Sequence, residues 1–142
     1  MRIIPQVIQH LRADSNITNV VGNNIFADYP PQGVAEPFIV LTILSGSAYG
    51  TVNNQSVRAY SARLEVDIVG VTRSQTESVI EMIEDSIDGF SSRDSTHSIQ
   101  GITVNGGLEW ELLLPKDGSD ERRFLCSQDF EIHYTRKISE GY

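Results

Sequence analysis

The sequence predicts an α+β domain: a mostly antiparallel, twisted sheet with helices packed on one face. Three observations predict it. Apolar and acidic residues alternate with period two in residues 63–69, 108–114 and 124–134, the mark of half-buried strands. An apolar stripe at helical spacing is confined to the first 22 residues and to residues 75–88. Consecutive strands are joined mostly by loops, which favours antiparallel neighbours. At 142 residues, with no repeat and no low-complexity block, the chain reads as one domain spanning 1–142, with 1–134 as the folded core and 135–142 as a C-terminal tail.

The elements follow in order. Pro5 suits the first turn of a helix, and Val7, Ile8 and Leu11 then share a face. Asp14-Ser15-Asn16 offers cap residues for a second turn carrying Ile17, Val20 and Val21, which Gly22 ends. A short apolar strand starting at Ile25 breaks into Asp28-Tyr29-Pro30-Pro31-Gln32-Gly33 and passes through Glu36-Pro37. Residues 38–45 are apolar on both alternations, as expected of a central strand covered on both faces. Residues 46–56 turn to Gly, Ser, Thr, Asn and Gln, a polar connection around Asn53-Asn54 that reads as a mobile hairpin arm.

Residues 63–69 place Leu64, Val66 and Ile68 on one face and Glu65 and Asp67 on the other. Ser74 and Glu77 form a capping box for a helix whose stripe is Val79, Ile80, Ile83 and Ile87, with Gly89 as its left-handed stop. Residues 91–98 read as a polar loop. Asn105-Gly106, between residues 99–104 and 108–114, is a type I′ hairpin signal, with Leu108, Trp110 and Leu112 inward and Glu109 and Glu111 outward. Residues 115–123 form a charged loop. The last strand puts Phe130, Ile132 and Tyr134 on the core face and Asp129 and Glu131 opposite.

Composition narrows the function. Hydrophobic residues make up 39% and charged residues 21%, a globular balance. The longest apolar run is far short of the ~20 residues of a membrane span, so no bilayer crossing is expected. Met1-Arg2-Ile3-Ile4-Pro5 lacks the apolar core and cleavage site of a secretory signal, which predicts synthesis in a cytoplasm. A net charge of −8 argues against tightly held nucleic acid, whose binding needs cations to displace phosphate counterions. His10, His97 and His133 have no metal-ligand spacing to one another or to Cys126, and Asp117-Gly118-Ser119-Asp120-Glu121 lacks the ligand pattern of a calcium loop. Cys126 shares the alternation of Phe124, Phe130 and Ile132, so it reads as a buried structural thiol. No phosphate loop, HExxH or GxSxG is present, so no enzyme activity, no metal and no cofactor are expected.

Gly22 with Ile25-Phe26, the loop Pro31-Gln32-Gly33 leading to Pro37-Phe38-Ile39-Val40, and Ser45-Gly46 opening a polar arm resemble the small tail-completion proteins of long-tailed bacteriophages. The likeness continues through Leu64-Glu65-Val66-Asp67-Ile68-Val69, Ile87-Asp88-Gly89-Phe90 and Gln128-Asp129-Phe130-Glu131-Ile132-His133-Tyr134. These are also called tail terminators or tail-to-head joining proteins. The resemblance implies a twisted sheet with helices on one side and a ring, a hexamer in the family, at the head-proximal end of the tail tube. It implies as partners other copies of the chain, the tail tube protein and a neck or head-completion protein, and a place in the virion. A connector ring one layer nearer the head uses similar domains and stays open. A small regulatory or ligand-binding α+β module is the other class, distinguished by a concave pocket with convergent polar groups.

Three sets of candidate residues emerge. Glu65, Asp67, Glu109, Glu111, Asp129 and Glu131 all oppose the core-facing alternation, so they are expected on one sheet face. That face is either ordinary solvated surface or, because acids are poor strand formers and like charges on neighbouring strands repel, a surface selected for something else. In a ring it would be a lumen through which double-stranded DNA passes without tight binding. Glu84, Asp85 and Asp88 sit at the negative end of their helix dipole, where acids are disfavoured. They are either solvated or paired with Arg93 in the same subunit, or they are candidates for inter-subunit contact with one of the two adjacent basic pairs, Arg122-Arg123, the pair taken for the test, or Arg136-Lys137. Tyr49, Asn53, Asn54 and Arg58 belong to the polar arm, a candidate partner-binding element.

Overall fold

A computed structural model describes residues 3–52, 57–113 and 122–137. Three helices, α1 (Ile4–Arg12), α2 (Ser15–Val21) and α3 (Arg73–Ile87), accompany six strands: β1 (Ile25–Ala27), β2 (Phe38–Val52), β3 (Val57–Gly70), β4 (Ser92–Arg93), β5 (His97–Leu113) and β6 (Arg123–Lys137). The strands form one sheet in the order β1-β2-β3-β6-β5-β4, curled into a half-barrel. The α+β class holds, but the sheet is mixed. β1 runs parallel to β2, with Ile25 opposite Ile39, while every other neighbouring pair is antiparallel. The reason lies in the loop between them, which carries the chain back along the edge instead of reversing it. Positive φ at Asp28 and Gly33 supplies its corners.

The helices pack by the faces their sequences dictate. In α1, Ile4, Val7 and Leu11 are buried at helical spacing, with Pro5 in the first turn. Asp14 caps α2 by accepting from the Asn16 N–H at 3.0 Å, and Gly22 ends it at φ 62°. In α3, Val79, Ile80, Ile83 and Ile87 are buried. Its cap is Thr72 and not Ser74: Thr72 Oγ1 accepts from the Gln75 N–H at 3.1 Å, and Gln75 Oε1 accepts from the Val71 N–H at 3.0 Å. The reciprocal bonding expected of Ser74 and Glu77 therefore occurs two residues earlier, because Arg73 is already helical. These faces meet Ile39, Leu41, Leu64, Val66, Ile68, Phe130 and Ile132 of the sheet in one core on one side. Each such fully buried aliphatic or aromatic side chain stabilises by about 1.5–3 kcal/mol.

Four expectations are corrected. The hairpin at Asn105-Gly106 does not form: β5 runs unbroken from His97 to Leu113, and both halves pair with β6. Asn105 lies opposite Asp129 and Glu109 opposite Ser127, so the extra residues bulge out, with Gly106 at φ 83°. Of the three residues expected inward, Leu108 and Leu112 do not enter the core, being 40% and 45% exposed, while Trp110 packs against it. The hairpin arm is not a polar connection over residues 46–52 but ladder, since β2 and β3 stay paired, through two register shifts, as far as Val52 opposite Val57. β2 lies between β1 and β3 but off centre, the middle pair being β3 and β6. The predicted tail begins inside β6, whose residues up to Lys137 pair with β3 and whose Arg136 pairs with β5 as well.

A second, smaller apolar cluster lies on the face away from the helices. Phe38, Val40 and Val69 are buried there, with Phe26, Val34, Leu113 and Leu125 against them. Arg123 Nη1 donates to Glu36 Oε1 at 2.8 Å, pinning the β1–β2 loop to the start of β6. This explains why residues 38–41 are apolar on both alternations.

Candidate functional site: the helix-free sheet face

Residues directly opposite one another in a ladder share a face. Glu65 faces Asp129 and Arg63 faces Glu131 across β3 and β6, and Asp67 faces Ser127. Across β6 and β5, Asn105 faces Asp129, Glu109 faces Ser127 and Glu111 faces Leu125. The register therefore brings Glu65, Asp67, Glu109, Glu111, Asp129 and Glu131 to the side away from the helices. They occupy the middle of that face, bounded at one end by the small apolar cluster.

The carboxylates are not bare. Arg63 Nε donates to Asp129 Oδ2 at 2.7 Å, and its Nη2 makes a second, shorter contact to the same oxygen. Ser61 Oγ donates to Glu131 Oε1 at 2.9 Å, with His133 Nε2 3.3 Å from the same atom. Ser127 Oγ donates to Asp67 Oδ1 at 2.6 Å. Arg63 shares the alternation of Glu65 and Asp67, so parity alone could have flagged it. Ser61, Ser127 and His133 become visible only once the strands are paired.

Charge remains in excess. Burial raises the Asp67 carboxyl above its usual range, opposed by the Ser127 hydrogen bond and reinforced by Asp129. Burial likewise raises Glu65, with Asp67 and Asp129 adding to it and Arg63 opposing. A recess of about 40 Å³ between Arg63, Glu65, Gly107, Glu109, Ser127 and Asp129 is far too small for a metabolite. Among the described residues no cluster of histidine, cysteine, aspartate or glutamate has metal-binding geometry.

These raised values make a prediction. A carboxyl whose folded pKa is raised binds its proton better in the folded state. Its contribution to stability is complete below the unfolded pKa and is lost as pH rises through the folded one. Asp67→Asn keeps an acceptor for Ser127 and removes the charge. It should raise Tm near neutral pH, with the gain fading as pH falls toward about 4 and absent below it. Thermal melts across that range check it, and an unchanged or lower neutral Tm would show that the charge costs nothing.

The other candidates separate. Glu84, Asp85 and Asp88 lie at the end of α3 with no basic residue in its last turn. Glu84 is raised by burial and then by Asp85, Glu81 and Asp88. Arg123 is engaged by Glu36 within the chain, and Arg122 is exposed just before β6. Tyr49 falls at a bulge in β2 and Arg58 in β3, while Asn53 and Asn54 lie outside the described residues. Cys126 is buried and its thiol is pushed up to about 11, chiefly by burial. A larger open groove of about 760 Å³ separates α1 from β1 and is lined by Ile4, Ile8, Phe26 and Tyr29 among others. Its one arginine, Arg12, is spent on the Ile25 carbonyl at 3.0 Å.

Comparison with known proteins decides the family. The model of the family "Tail completion protein gp17" matches residues 5–107, more than half of the chain. The chain belongs to this tail-completion family of phages. Membership makes it a structural protein of a phage tail. Among solved structures, a chain from the virion of a native gene transfer agent particle aligns over 91% of this chain and 91% of its own, at 13% identity and a TM-score of 0.65. That likeness is one of fold. A further solved chain aligns over 93% of this chain and 95% of its own at 11% identity, and its TM-score of 0.48 carries no argument. A search of curated proteins finds no match. The family match spans α1 into β5 as far as residue 107, so it takes in the β2–β3 arm and one of the three acidic pairs, Glu65 and Asp67, while Glu109, Glu111, Asp129 and Glu131 lie beyond it. In this tail-completion chain no helix among the described residues is long and apolar enough to cross a membrane.

Proposed function

We propose that the chain forms a ring at the head-proximal end of the tail tube, where it ends tube growth and joins the tail to the head. The ring is a hexamer by family resemblance. Its partners are further copies of itself, the tail tube protein on one side and a neck or head-completion protein on the other, and its work is done by contact, without catalysis or a cofactor.

The observation that carries this reading is the helix-free sheet face. A solvated face with no partner has no need to gather six carboxylates and to hold two of them above their usual pKa. A wall past which DNA moves does have that need. DNA bears about one negative charge per 1.7 Å of its axis, so a basic wall holds it and an acidic wall releases it. In this reading the helices turn toward protein and the acids toward DNA.

Electron microscopy of particles made without this protein tests the role. Overlong tubes are the expected result. Normal tails lacking heads would assign the chain to the connector layer nearer the head, and normal infectious particles would remove it from tail completion.

A further inference from the structure

The arm end of the sheet carries positive charge that no carboxylate among the described residues pairs with. Arg58 lies directly opposite Arg136 across β3 and β6, and Tyr60 lies opposite Tyr134. The two tyrosine rings stack with centroids 5.0 Å apart and 7° between planes. Arg136 donates to Tyr60 Oη from Nε at 3.3 Å and from Nη2 at 3.1 Å, with its guanidinium carbon 5.8 Å from the Tyr60 ring centroid. Arg136 and then Arg58 hold the Tyr60 hydroxyl below its usual pKa. Like charges directly opposite in a ladder are destabilising, and among the described residues no carboxylate forms an ion pair with either arginine. Both arginines are half-buried. Arg136, held by the Tyr60 hydroxyl, is pre-organised for a carboxylate, and its guanidinium keeps donors to spare.

The complementary surface is on the same chain. Glu81, Glu84, Asp85 and Asp88 lie within the last two turns of α3 and its cap, and among the described residues none of them forms an ion pair. Burial and mutual repulsion raise Glu84, and the negative end of the helix dipole disfavours all of them. A guanidinium pair docked there would relieve both costs at once.

We infer that the Arg58–Arg136–Tyr60 cluster of one copy receives the acidic end of α3 of the next, in a head-to-tail contact between copies. The inference rests on the ring reading and deepens it by naming the charges that join neighbours. Of the two basic pairs the sequence offers for that contact, it takes Arg136 of the second, joined by Arg58, in place of Arg122 and Arg123, of which Arg123 is held by Glu36 within the chain.

Charge reversal tests it in the full-length chain, with tube protein present and assembly followed by native mass spectrometry and microscopy. R58E/R136E and D85R/D88R should each weaken self-association at least about tenfold while leaving Tm close to that of the parent. Mixing the two reversed chains should restore rings in which they alternate, because each then meets the opposite charge on both sides. Chains that had merely misfolded would not be rescued by mixing. Should R58E/R136E fail to fold, D85R/D88R and the neutral R58Q/R136Q carry the test. Rings unaffected by any reversal, or no rescue on mixing folded chains, overturn the pairing while the ring stands. Loss of binding to a short DNA duplex with assembly unchanged also overturns it. An unaltered chain that stays monomeric with tube protein present overturns the ring and this contact together.

Discussion

Gly70→Ala should lower stability by about 2–3 kcal/mol, a drop of roughly 6–12 °C in Tm for a chain of this size. Gly70 ends β3, and only Val71 and Thr72 separate it from α3. The helix therefore starts directly over the strand end. A Cβ on Gly70 would stand 2.2 Å from Thr76 Oγ1 and 3.3 Å from Thr76 Cβ. Thr76 is fully buried, and its hydroxyl donates to the Thr72 carbonyl at 2.8 Å. It cannot rotate away without leaving polar groups buried and unpaired. The first turn of α3 must lift instead, taking Val79 and Ile80 with it. Adding Thr76→Ala removes the clashing oxygen, so the double variant should lose less than the sum of the singles. Chemical denaturation of the four proteins measures the coupling, and additive losses would show that Gly70 is required for another reason.

The second large effect concerns DNA. Tails built with Glu65→Lys, Glu109→Lys and Glu111→Lys should assemble yet eject their DNA more slowly, and the slowing should grow as salt is lowered. The three positions lie on β3 and β5, in the middle of the helix-free face. Glu131 is left in place because Ser61 and His133 are bonded to it, so its loss would disturb the sheet as well as the charge. Each lysine replaces repulsion of a phosphate by attraction, and the salt dependence is the signature of that exchange. Ejection in vitro, followed by release of a DNA-binding dye at several salt concentrations, reads it directly. Ejection at the parental rate at every salt concentration would sink the lumen assignment.

Much of this fold was legible because its periods are unambiguous. Val79, Ile80, Ile83 and Ile87 can share a face only on a helix, and Leu64, Val66 and Ile68 only on a strand. What failed was pairing. Asn105-Gly106 carries the same chemistry in a tight turn and in a bulge, and the choice was made by β6, which offers a partner to both halves of β5. The stretch from Gly46 to Val52 looked like a loop because small and polar residues are poor strand formers in isolation. Its ladder with β3 supplies what propensity lacks. The acidic face followed from alternation, since parity within a strand is local. Its partners Ser61, Ser127 and His133 depend on register between strands, which alternation does not encode. Arg58 and Arg136 were each visible as basic residues, but their adjacency was not: nearly eighty residues apart in the chain, they become neighbours only across the ladder.

Under the proposed role at the tube end, the paired arm bears on how fast a tail can be finished. A segment that must order itself on its partner gives up conformational entropy at that moment and shows a large heat-capacity change on docking. Residues Gly46 to Val52 and Val57 to Ala62 have already given up that entropy within the fold. Encounter then resembles the meeting of two rigid surfaces, limited by orientation and by the charges that steer it. A growing tube adds subunits continuously, and a cap that has to fold on arrival competes poorly with the next subunit. On the proposed ring role, a ladder already paired would arrive ready to engage, and the length of the finished tail would be guarded by a rate as much as by an affinity.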